Sequence, residues 1–189
     1  MPLKRVVAVG GGAIRRGGAG GMAPMALLLA RGTIPERLRI LDVQEDGTDA
    51  TPRIVEFVRS CGAAVDALMA RSVPIAGFNY IDARAVLEEC GVPSVFVLGE
   101  EPDMAAVGRA LMGHFPDWEA RLRAIEGAGP VHAVRLWGGD GEEGRMLIEC
   151  VGIGVRDAVA LAMGFTVFGR VPEPVRVALM AARAVGEVA

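Results

Sequence analysis

Residues 5–12 read RVVAVGGG, a β-branched apolar run that stops at glycine, the pattern of a short buried strand. Two further apolar runs follow, Met25–Ala30 and Leu38–Val43, separated by RGTIPER, a length and chemistry suited to a hairpin. Asp49-Ala-Thr-Pro then announces a helix, with Thr51 as cap, Pro52 in the first turn and Ile54, Val55 and Val58 at helical spacing. Three strands in an antiparallel meander ahead of a helix are the core of a mixed sheet.

Working outward, helices and strands alternate. Val65–Met69 and Val95–Leu98 read as core strands, and Ile81–Glu89 reads as a helix between them. Pro102 opens a helix with Met104, Val107, Leu111 and His114 on one stripe, and FPDWEARLRAIEGAG carries a second that ends in glycine. Val131–Trp137 and Met146–Val151 flank GGDGEEG as a hairpin. Val155–Met163 and Pro172–Val185 close the chain as helices, the last with Val175, Leu179, Ala182 and Val185 inward. No repeat or linker divides the 189 residues, so residues 1–189 read as one α/β domain with a mixed sheet.

Composition narrows the chemistry. The chain is 52% hydrophobic and 23% charged, enough for a full core. Its longest apolar run, Met22–Ala30, is too short to span a bilayer, and MPLKRVVAVGGG breaks into glycine too soon for a signal segment. The expectation is a cytoplasmic protein with no membrane partner. Lys4 is the single lysine, and His114 and His132 are the only histidines, which excludes a histidine-rich metal site. Cys61, Cys90 and Cys150 are odd in number, far apart and without a CxxC pair. They read as small buried hydrophobes in a reducing compartment. Residues 1–40 hold seven basic side chains against Glu36 alone, a balance of +6 inside a chain of net −3. That segment could meet phosphate or pair with the acidic remainder.

No single motif declares a reaction. GGGAIRRGGAGG contains neither GxxxxGK[ST] nor GxGxxG, because Arg15 stands where the third glycine belongs. It reads as a mobile loop whose glycines and arginines can contact an anion. Asp42, Glu45, Asp46 and Asp49 cluster but do not match the spacing of a calcium loop. Clustered carboxylates can hold Mg²⁺ for phosphodiester hydrolysis; the plainer reading gives Asp46-Gly47 a turn and Asp49 a helix start. No Gx[ST]xG elbow occurs, and His114 reads as a satisfied buried histidine. Trp118 and Trp137 read as core or interface residues, with base stacking as the alternative.

Five blocks together resemble an archaeal family of unknown function related to endonuclease V: RVVAVGGGAIR, RGTIPERLRILDVQEDGTDAT, PIAGFNYID, FPDWEARLRAIEGAGP and GRVPEPVRVALMAARAV. Their order covers Arg5 to about Val185. The resemblance implies a ribonuclease-H-like fold, a mixed sheet whose first three strands are antiparallel, flanked by helices. In such nucleases, acids at the first strand and nearby elements bind catalytic metals. The family's first strand usually ends in GIDDG; here Gly10 and Gly11 stand in place of the aspartates. Asp46 and Asp49 match the DGxDAT block and remain as residual catalytic candidates. A further acid sometimes found before the GFN block falls at Arg71, whose charge opposes a divalent cation, and Glu100 and Glu101 replace basic residues after the fifth strand.

The expectation is therefore a divergent member without metal-dependent nuclease activity. It would retain DNA, RNA or nucleotide binding through Arg15, Arg16, Arg31, Phe78 and Asn79, and no cofactor is expected. One alternative is an active Mg- or Mn-dependent endonuclease with a shifted site at Asp46, Asp49 and Asp82. The other is a structural or interaction protein whose apolar surplus covers a homo-oligomer interface.

Overall fold

The computed structural model describes residues 4–15, 21–62, 64–137 and 143–187. β1 (Arg5–Gly11) is an interior strand, third in a seven-stranded sheet with order β3-β2-β1-β4-β7-β9-β8. β2 (Met22–Arg31) and β3 (Ile34–Gln44) complete an antiparallel meander with it. β4 (Ala67–Ala70) and β7 (Ser94–Leu98) run parallel to β1, and β9 (Glu143–Val151) and β8 (His132–Trp137) form an antiparallel hairpin on the far edge. A two-stranded ribbon, β5 (Pro74–Ala76) with β6 (Asn79–Tyr80), stands apart. The strand and hairpin assignments read from the sequence hold; the ribbon has no counterpart there, being too short to show a period.

Alternation along β1 sends Val7 and Val9 to one face and Val6 and Ala8 to the other, and all four are buried. A central strand covered on both sides accounts for its unbroken apolar run. The first face is covered by α1 (Ala50–Ser60), α2 (Ala83–Cys90), α3 (Met104–His114) and α4 (Trp118–Glu126), through Ile54, Phe57, Val86, Leu111 and Ile125. The second is covered by α5 (Val155–Gly164) and α6 (Glu173–Glu187), through Leu161, Val175, Ala178 and Ala182.

Here the residues are small. Ala8, Ala26 and Ala30 of the sheet share that cluster with Ala178 and Ala182 of α6, so helix and sheet approach closely. The closeness explains the glycines. A Cβ on Gly10 would lie 2.4 Å from the backbone carbonyl carbon of Ala178, and one on Gly12 would lie 2.5 Å from the Ala182 carbonyl oxygen. β1 accordingly runs on through Gly11 where a loop was expected.

Three helix readings change. α1 starts at Ala50 after Asp49, and Thr51 lies inside the first turn. Val185 is exposed, because the inward stripe of α6 is Val175, Ala178 and Ala182. His114 is exposed in the last turn of α3, where a donor suits the unpaired carbonyls of a helix end. The three cysteines are free and only partly buried.

Candidate functional site

The carboxyl ends of β1, β4 and β7 lie side by side, and open α/β sheets bind ligands at that edge. The two expected catalytic carboxylates are brought to it by the turn after β3. Asp46 adopts a left-handed backbone (φ 57°), a conformation aspartate tolerates better than most residues. Its Oδ1 accepts from the Phe78 N–H at 2.7 Å, and its own N–H donates to the Ala76 carbonyl at 3.1 Å. Gly77 sits above it because a Cβ there would lie 2.2 Å from that same Oδ1.

Asp49 accepts from the Gln44 N–H at 3.2 Å and from the Asn79 Nδ2 at 2.7 Å. Asn79 is wholly buried. Its Nδ2 also donates to the Gln44 carbonyl at 2.8 Å, while its Oδ1 accepts from the Ala50 N–H at 3.2 Å. Thr51 completes the seam: its hydroxyl donates to the Tyr80 carbonyl at 2.9 Å and accepts from the Asp82 N–H at 2.8 Å. Asp82 in turn caps α2 through the Arg84 and Ala85 N–H groups, both at 3.0 Å. The DGTDAT and GFNYID blocks are thus two halves of one hydrogen-bonded joint.

Arg121 fastens this joint from α4. It is 6% exposed, donates to Asp117 at 2.9 Å, and its Nη1 reaches the carbonyls of Gly47 (3.2 Å) and Phe78 (3.1 Å). The guanidinium also stacks 4.4 Å over the Phe115 ring, which meets Phe78 edge-on at 5.5 Å. Asp117, four residues before Arg121 on the same helix, has its carboxyl held below the usual range by that hydrogen bond. The sequence reading missed Arg121; the i,i+4 acid–arginine pair was visible, but its reach across to residue 47 was not.

The arginines expected to bind phosphate do not converge. Arg15 bridges to Met22 beside the glycine end of β1 and pairs with Asp42. Arg31 lies at the other end of β2, paired with Glu36 at 2.8 Å. Ten residues of extended strand put the two ends roughly 30 Å apart. Arg16 lies outside the described residues.

A metal held at the first strand does not fit these residues. A Cβ on Gly11 would lie 2.5 Å from the Ile75 carbonyl oxygen, and Gly10 is closed by α6, so neither position admits a carboxylate while the backbone stays in place. Among the described residues no group of three His, Cys, Asp or Glu side chains could hold a metal ion.

The same edge holds a cleft of about 780 Å³ between the ends of β4 and β7 and helix α3. Arg71, Glu100, Glu101 and Asp103 line it, so the two departures noted around residues 71 and 100 face one space. Arg71 lies against Gly99, where a Cβ would be 2.4 Å from its Nη2. Glu149 of β9 closes the cleft. It is 7% exposed, and burial alone pushes its carboxyl up to about 7. An acid inside the apolar run MLIECV was the available signal, and the sequence reading passed over it.

Residues 3–186 match the family model described as endonuclease dU. The UPF0215 protein of Thermococcus gammatolerans is 33% identical over 141 residues, 74% of this chain and 69% of that protein. A protein of unknown function from Archaeoglobus fulgidus superposes with a TM-score of 0.78 at 24% identity, over 96% of this chain and 98% of that one. Endonuclease V of Ciona intestinalis, solved with a 24mer DNA containing an inosine followed by a ribo-adenosine, superposes with a TM-score of 0.61 at 11% identity, over 99% and 88%. The shared architecture is the ribonuclease-H-like mixed sheet flanked by helices.

Proposed function

The chain belongs to the endonuclease dU family, and on that premise we propose that it is an endonuclease-V-like nucleic-acid-binding protein without two-metal hydrolysis. One observation carries the second half of this reading. At Gly10 and Gly11 the backbones of α6 and β5 occupy the space a first-strand carboxylate needs. Two-metal hydrolysis needs ligands that stabilise both the attacking and the leaving oxygen, and the joint already engages Oδ1 of Asp46 and Oδ1 of Asp49. Nucleic-acid binding is supported by the DNA held by the endonuclease V neighbour and by the basic N-terminal segment. Arg15, Arg16, Phe78 and Asn79 enter the proposal differently: the arginines toward phosphate, the other two as the frame that shapes the edge. Arg31 lies too far away to share that surface. Among the described residues no helix is long and apolar enough to cross a membrane.

A second reading, an endonuclease active with Mg²⁺ or Mn²⁺, draws on the family description and on the acids gathered in the cleft. One experiment separates the two. Single strands containing deoxyuridine or inosine are offered with each metal, and binding is followed by anisotropy across a salt series. The expected outcome is binding that weakens steeply with salt and no cleavage. Cleavage abolished by Asp49→Asn establishes the second reading instead.

A further inference from the structure

β3 is the outermost strand on the meander side of the sheet, and residues 34–39 along it are exposed. On its neighbour β2, the Pro24 carbonyl accepts from the Gly12 N–H, so it points toward β1. The N–H and C=O of a strand residue point the same way, and successive residues alternate. Met25, Leu27 and Leu29 therefore turn theirs toward β3. Their partners Leu41, Arg39 and Arg37 bond inward, and Leu38, Ile40 and Asp42 aim their backbone groups out from the sheet. Gln44 closes the row: its N–H donates to Asp49, and its carbonyl accepts from Gly47 and Asn79.

Edge strands are commonly guarded by charged side chains. The charges of β3 are engaged within its own fold. Glu36 pairs with Arg5 at 2.9 Å and with Arg31 at 2.8 Å, Arg39 pairs with Glu56 at 3.0 Å, and Asp42 pairs with Arg15. Arg37 donates to the Ser60 carbonyl at 2.9 Å and lies 5.2 Å from the centre of the Phe57 ring. Beside the open backbone groups the strand presents Leu38, 47% exposed, and the half-buried Ile40 on the same sheet face.

We propose that β3 pairs antiparallel with β3 of a second copy of this chain, with Ile40 opposite Ile40 on the two-fold axis. The open groups bond only in registers that set residues 38, 40 and 42 against one another, and side-chain charge selects among these. Centring on Leu38 sets Arg37 against Arg39. Centring on Arg39 sets that arginine against itself and Glu36 against Asp42. Centring on Asp42 opposes two aspartates, and like charges directly opposite destabilise a pair of strands. Centring on Leu41 calls on Gln44, whose backbone groups are already taken. Centring on Ile40 meets none of these obstacles: Leu38 faces Asp42, Arg39 faces Leu41, and Arg37 faces Val43. Leu38 and Ile40 of both copies then form one diagonal apolar strip, and the two seven-stranded sheets become continuous. The contact is isologous, closes on itself and leaves no β3 edge open.

The test follows the full chain by sedimentation velocity between roughly 1 and 100 μM. A dimer is expected. Ile40→Lys is expected to weaken it about tenfold or more, because two ammonium groups then face each other. Leu38→Lys is expected to stay within about threefold of wild type, because its ammonium faces Asp42 of the second copy. Mild oxidation is expected to link Ile40→Cys across the axis, where opposed Cα atoms lie about 5.5 Å apart, and to leave Leu38→Cys no more linked than wild type. The cysteine variants keep the test open should a lysine variant fail to fold. A monomer throughout the concentration range overturns the inference. So does a dimer weakened equally by both lysines, or one in which Ile40→Cys stays unlinked.

Discussion

The Asn79 side-chain amide donates to the Asp49 carboxylate at 2.7 Å, joining two chain segments thirty residues apart inside the protein. An acid matching the family's DGxDAT block thereby serves as an acceptor in a part-buried joint, with its other oxygen 4.0 Å from Arg53. Asn79→Asp would set a carboxylate against the Gln44 carbonyl and Asp49 together. It is expected to cost at least about 3 kcal/mol at neutral pH, more than Asn79→Ala, with part of the loss recovered on acidification toward about pH 4. Urea unfolding at the two pH values measures this. Equal losses for the two variants would argue against the donor role of the amide.

Asp46 separates a structural from a catalytic carboxylate. Asparagine tolerates the same left-handed backbone and can accept from the Phe78 N–H, so Asp46→Asn is expected to stay within about 0.5 kcal/mol of wild type. Asp46→Ala loses both advantages and is expected to cost about 2 kcal/mol. Thermal melts compare the pair. A catalytic role would instead appear as lost cleavage in Asp46→Asn with stability unchanged.

Arg121 makes four different contacts from one planar group, and a lysine ammonium cannot reproduce that fork or its stacking on Phe115. Arg121→Lys is expected to lose about 1.5–3 kcal/mol despite keeping the charge. Hydrogen exchange of the Phe78 N–H is expected to quicken in step, since the loop it belongs to loses its clamp. Unchanged exchange in a destabilised variant would place the effect elsewhere.

Restoring the family's acids cannot restore a metal site if α6 and β5 stay where they are. Gly10→Ala and Gly11→Asp are each expected to destabilise by more than about 3 kcal/mol, because the atoms in the way are backbone. Melting with and without Mn²⁺ checks this. Soluble, stable Gly11→Asp protein that gains stability from the metal would mean the first strand can be reopened.

Glu149 also sets how stability depends on pH. Its carboxyl titrates near 7 when folded against an ordinary value of 4.5, so the folded state binds the extra proton between those limits. The cost of burying it is therefore absent below about pH 4.5, grows as pH rises, and is complete above about 7. By that point it has removed on the order of 3 kcal/mol. Glu149→Gln is expected to abolish this slope and to exceed wild-type stability at pH 8. A wild-type stability curve flat from pH 5 to 8 would count against the buried, unpartnered carboxyl.

Much of the fold could be read from local pattern. Residues 6–9 are apolar without a break because β1 is covered on both faces, and the spacing of Ile54, Val55 and Val58 follows one helix face. The site was legible in part. Asp46 and Asp49 stand at the expected edge, but Phe78 and Asn79, which tie them to the ribbon, lie thirty or more residues away, and no local spacing names them. Arg15 and Arg31 are close in sequence and belong to one basic segment; a strand of ten residues carries them to opposite ends of the sheet. Arg121 and Glu149 went unread because each acquires its meaning from what it is buried against.

The sequence by itself determined the order and periods of the strands and helices, since backbone geometry repeats every two or 3.6 residues and apolar spacing records which repeat is buried. It also determined that glycines occupy positions 10 to 12. Only the tertiary structure decided what those glycines do. The backbone of α6, some 170 residues further along, lies where side chains at positions 10 and 12 would begin, and the Ile75 carbonyl does the same at position 11. Close packing between distant segments leaves no trace in local periodicity, because it depends on which surfaces meet once the chain has crossed over.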